Sequence, residues 1–158
     1  YEILPNRFGA GIIQNNFELL GEIKYTDSEI DYANTILKET GKELKGLDGT
    51  IKPLRPTLPA QGGSTDVGDV SQVVPVVRLR TTTAAKDGPW HSWAVVACTG
   101  MSIGHKGMIY ASKALAMTML DLYKNPKLID GVRKEFLVRK GDRVYVPQIP
   151  PGPPKLID

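Results

Sequence analysis

The sequence predicts an α/β fold, a small sheet packed by helices, on three observations. Two apolar runs, Val73 to Leu79 and Ala94 to Cys98, have the length and composition of strands covered on both faces. Segments with apolar residues at helical spacing surround them. Glycine-rich turns, Gly62 to Gly68 and Gly100 to Gly107, sit beside the runs, as they do where strands give way to helices. At 158 residues, 41% hydrophobic and 23% charged, the chain suits one domain or a substantial piece of a larger one. That composition excludes disorder, collagen and coiled coil. No apolar run approaches the roughly 18 residues of a membrane span, and the first residues lack a signal peptide's basic start, so a cytoplasmic protein is expected.

In chain order, Tyr1-Glu-Ile-Leu-Pro5 is short, apolar and ended by proline, like the last strand of something upstream. Phe8, Ile12, Ile13 and Leu19 or Leu20 then recur at helical spacing until Gly21. Thr26-Asp-Ser-Glu29 has the spacing of a capping box, opening a second helix whose buried face is Ile30, Ala33 and Leu37. Lys42 to Gly68 reads as a long loop, and loops of that length in compact domains are commonly functional. The first strand follows, pushed toward a sheet edge by Pro75, and Pro89-Trp-His-Ser-Trp93 leads into the second. Beyond Gly107 runs the longest helix, with Met108, Ala111, Leu115, Met119 and Leu122 as its apolar stripe. Asn125-Pro126 caps another, with Ile129, Val132 and Phe136 inward. Val144-Tyr-Val146 is extended, and residues 147–158, with five of the twelve prolines, form a wrapping tail.

The charge balance, twenty Lys plus Arg against seventeen Asp plus Glu, names no partner. The cluster Arg133, Lys134, Arg139, Lys140 and Arg143 reads as a solvated helix end, and with no aromatic-rich groove it predicts neither nucleic-acid nor membrane binding. One cysteine, Cys98, forms no internal disulfide and reads as a core thiol. The chemical clue is in the loops: the two histidines, His91 and His105, and the carboxylates Asp66 and Asp69. Imidazole plus carboxylate is the ligand set of hydrolytic zinc or manganese centres, where the metal lowers the pKa of a bound water to about 7. The spacing fits no compact metal motif, so surface or core histidines remain the plain alternative. Gly100 to Gly107 imitates a phosphate loop but fails in glycine spacing and in lacking Ser or Thr after the lysine. It retains a helix-start geometry suited to a carboxylate, set against a simple glycine turn for close packing.

Three stretches, Gly63-Ser-Thr-Asp-Val-Gly-Asp-Val-Ser71, His91-Ser-Trp93 and Gly100-Met-Ser-Ile-Gly-His-Lys-Gly-Met108, together resemble the C-terminal part of aminobenzoyl-glutamate utilization protein B-like amidohydrolases. These belong to the aminoacylase and carboxypeptidase-G-like metallopeptidase superfamily. The resemblance implies hydrolysis of an amide next to a carboxylate, on an aminobenzoyl-glutamate or N-acyl amino acid type of substrate. A metal-bound water and a glutamate base would do the chemistry. Both metal-site motifs that precede the family's lid domain are missing here, so most ligands of the divalent metal, zinc or manganese, and the base are expected upstream. Residues 1–5 would then be the trailing strand of a lid, 6–146 the C-terminal portion of the catalytic domain, and 147–158 the tail. His91 corresponds by position to the final metal ligand, with His105 the alternative. Ser64, Thr65, Asp66 and Asp69 match the loop lining the site, and Gly104, His105 and Lys106 the receiver of the substrate carboxylate. A chain of this kind is incomplete alone and expected to pair with another copy or with the missing N-terminal half. The competing expectation is a non-catalytic binding or scaffold module that keeps the fold segment.

Overall fold

The computed structural model describes residues 1–56, 65–149 and 152–153. They form helices α1 (Arg7–Leu20), α2 (Asp27–Glu39), α3 (Asp66–Val73), α4 (Trp93–Thr99), α5 (Ser102–Lys124) and α6 (Pro126–Lys140). No strand occurs among the described residues, so the fold is all-helical and the expected α/β architecture is overturned.

The two predicted strands fail for different reasons. Val74 itself is extended, but among the described residues no strand forms over Val74 to Leu79, and a strand without a ladder partner is not a sheet. Val73 itself closes α3, which Thr65 caps by accepting from the Val67 N–H. Ala94 to Cys98 is helical because Ser92 caps it, its Oγ accepting from the Ala94 N–H at 3.3 Å. The burial pattern agrees: Ala94 and Cys98, four apart, are buried while Val96 is 72% exposed. A strand would have put all three on one face.

Two helical layers hold the molecule together. One core joins α2, α4 and the start of α5 through Ala33, Ile36, Leu37, Ala94, Cys98 and Ile103. The other packs α1 on α5 and α6, and here polar groups do much of the joining. Asn6 caps α1 at Gly9 N and donates from Nδ2 to the Val132 carbonyl of α6 at 2.8 Å. Asn16, buried, donates to Thr118 Oγ1 and Asp121 Oδ2 of α5. Gly9 is required because a Cβ there would collide with Val77.

Helices α1, α2 and α6 span the expected segments and the capping box of Thr26 and Glu29 forms, but Phe8, Leu19, Ile30 and Ile129, expected on the apolar faces, are exposed, while Ile12, Ile13, Ala33, Leu37, Val132 and Phe136 are buried. The expected stripe of α5 is reversed. Met108, Leu115 and Met119 are about half exposed, while Ile103, Gly104, Gly107, Ala114 and Thr118 face inward. Small residues bring the backbone of α5 close to its neighbours, at Gly104 against Thr99 and at Gly107 against Thr82.

Candidate functional site

The residues singled out from sequence occupy three places. Thr65, Asp66 and Asp69 lie at the start of α3, where both carboxylates complement the positive end of the helix. Asp66 is exposed, and Asp69 accepts from the Tyr145 hydroxyl at 3.0 Å, which raises the Tyr145 pKa. Ser64 lies outside the described residues.

His91 stands in the turn before α4 with φ of 58°, a left-handed backbone that non-glycine residues seldom adopt. It is exposed, and among the described residues its ring makes no hydrogen bond. His105 is not in a loop: the start of α5 places it on the exposed face of the helix's first turn.

Lys106 is half-buried, and its Nζ donates to Glu29 Oε2 at 2.6 Å and to the Lys24 carbonyl at 3.0 Å, 5.6 Å from the centre of the Tyr25 ring. Ser102 donates to Glu29 Oε1 at 2.6 Å and the Thr26 N–H to Oε2 at 2.7 Å, so both oxygens of the buried carboxylate are satisfied. Burial alone would push the Glu29 pKa up; the hydrogen bonds from Lys106, Ser102 and Thr26 and the Lys106 charge outweigh it and hold the group at about 2. Glu29, which the sequence marks only as a cap, thus ties α2 to α5. Tyr25 beside it is pushed up to about 12, chiefly by burial.

Among the described residues, no three His, Cys, Asp or Glu side chains come together as a metal site. This chain therefore does not by itself fit a catalytic zinc or manganese ion, which takes three protein ligands and an open position. A cleft of about 510 Å³, lined by α1, residues 48–55, residues 78–82 and Tyr110, contains none of the residues singled out above.

Two hydrolases are similar to this chain. Over 89 residues it is 35% identical to a component polypeptide of the p-aminobenzoyl-glutamate hydrolase of Escherichia coli (strain K12), covering 56% of this chain and 18% of that protein. Over 79 residues it is 38% identical to the Xaa-Arg dipeptidase of Mus musculus, covering 50% of this chain and 18% of that protein. These matches span less than a fifth of either relative's length. No protein-family model and no solved structure matches the chain. The resemblance carried by the three motifs therefore holds: over about half its length the chain is homologous to amidohydrolases and peptidases.

Proposed function

We propose that this chain is the C-terminal catalytic-domain segment of a metal-dependent amidohydrolase that cleaves an amide next to a carboxylate, and that it works only when joined to the remainder of its parent protein. The observation that carries the reading is the pair of relatives. Their names, p-aminobenzoyl-glutamate hydrolase and Xaa-Arg dipeptidase, share one chemical feature: the amide nitrogen belongs to an amino acid with a free carboxylate.

In this reading His91 is the one metal ligand the chain supplies, the remaining ligands and the general base coming from upstream. The left-handed backbone at His91 favours it over His105, because strained backbone concentrates at functional sites. A divalent ion held in part by His91 would supply a more acidic water and polarise the amide carbonyl. Thr65, Asp66 and Asp69 line the site, and Ser64, assigned with them, lies outside the described residues. The carboxylate of the substrate is received at the start of α5 by Gly104, His105 and Lys106, whose ammonium has three N–H groups and gives two of them to Glu29 and the Lys24 carbonyl. Residues 1–5 trail from a lid and 6–146 complete the catalytic domain; the tail assigned to 147–158 lies largely outside the described residues. Met108, Leu115, Met119 and Tyr123, exposed along α5, offer an apolar surface for the missing half or for a second copy.

The test joins the chain to its upstream half. Hydrolysis of p-aminobenzoyl-glutamate and bound metal should appear in the joined protein, be absent from the 158-residue chain, and be lost together on His91→Ala. Retention of both metal and turnover in His91→Ala would remove the ligand assignment, and a joined protein that binds without hydrolysing would favour a scaffold module.

A further inference from the structure

The cleft beside α1 has the size of a small-molecule site, about 510 Å³ against the roughly 300–1,000 Å³ common for such pockets. Part of its lining is apolar. Ile13 and Phe17 of α1 lie there with Tyr110 of α5, whose ring stacks on Phe17 at 5.4 Å between centroids and 16° between planes. Its lining is also cationic, with Lys52 and Arg55 from one irregular segment and Arg78 and Arg80 from another. Asp48 is the one acidic residue of the lining, and Lys52 and Lys86 already engage it at 2.9 and 3.1 Å. Among the described residues, the guanidinium groups of Arg55, Arg78 and Arg80 make no ion pair and donate no hydrogen bond.

Three exposed guanidinium groups from two segments, unpaired among the described residues, make the cleft beside the Phe17–Tyr110 pair electropositive and attractive to an anion. Their planar forks match carboxylates two N–H groups at a time, and their faces stack on flat rings. We propose that this cleft binds a small flat anion, an aromatic dicarboxylate, with its ring on Phe17 and Tyr110 and its carboxylates on Arg55, Arg78 and Arg80. The site is separate from the motif residues assigned to amide cleavage, none of which lines it, and it stands whether or not that assignment holds.

The probe is isophthalate, titrated into the 158-residue chain by calorimetry and followed by NMR of the Phe17 and Tyr110 rings. One isophthalate per chain should bind, shift both rings and weaken as salt is raised. Arg78→Glu combined with Arg80→Glu should weaken binding by about tenfold or more with helical content unchanged, and neutral benzyl alcohol should not bind. Arg80→Gln alone should give a smaller loss, which keeps the test decisive if the double variant fails to fold. The proposal is overturned by silence at roughly 10 mM isophthalate, or by equal affinity of the folded variants. It is equally overturned if hexaglutamate displaces isophthalate and binds more tightly, which would make the cleft a docking surface for an acidic polypeptide segment.

Discussion

Two cationic regions of this molecule differ in what their charges meet. At the start of α5, Lys106 is drawn into a half-buried cluster with Glu29, Ser102 and the capped end of α2. In the cleft beside α1, three arginines reach solvent with no carboxylate within ion-pair distance among the described residues. The first region uses its charge to join helices, and the second leaves it available to a ligand. What separates these cases is whether folding brings a carboxylate opposite the cation.

The contrast sharpens from the core outward. Leu37 is wholly buried where α2 meets α4 and α5, so Leu37→Ala should cost about 2–5 kcal/mol in denaturant unfolding. Gly104→Ala would drive a methyl into the Thr99 backbone and should cost about 1–3 kcal/mol, read from the same titration. If Gly104 served only a ligand and not packing, that variant would be as stable as the parent.

Glu29→Gln removes the charge that Lys106 and Ser102 share, with an expected loss of about 1–3 kcal/mol. Its pH signature is distinctive. The folded pKa, about 2, lies below the ordinary 4.5, so the carboxylate's stabilisation is present above pH 4.5 and is lost as pH falls toward 2. Glu29→Gln should flatten that part of the stability curve. In the cleft, Arg78→Ala and Arg80→Ala should each change unfolding free energy by no more than about 0.5 kcal/mol, because the groups are exposed and unpaired. A large loss there would show that these arginines hold the fold, as Lys106 does.

Much of the helical layout is legible in the sequence. The Thr26 and Glu29 spacing, the proline at the start of α6 and the glycine after α1 are local signals, set by backbone hydrogen bonds within a few residues. The motif residues Thr65, Asp66, Asp69, His91, Gly104, His105 and Lys106 are legible as a family pattern, but the pattern does not say which of them share a space. Sequence puts His105 in a loop, and it lies on a helix; sequence gives Glu29 a capping role, and it also grips Lys106.

The sequence by itself determined where helices begin and end at α1, α2 and α6, and the kinship with a p-aminobenzoyl-glutamate hydrolase component and an Xaa-Arg dipeptidase, because helix-end signals and residue identity are local or linear properties. Only the tertiary structure decided that Ala94 to Cys98 is helical and that Val74 to Leu79 has no ladder partner among the described residues, since a short apolar run fits helix and strand alike until its neighbours are known. It also decided which face of α5 is buried: glycine, alanine and threonine allow closer approach than methionine and leucine, and close packing of backbones outweighs the hydrophobic stripe.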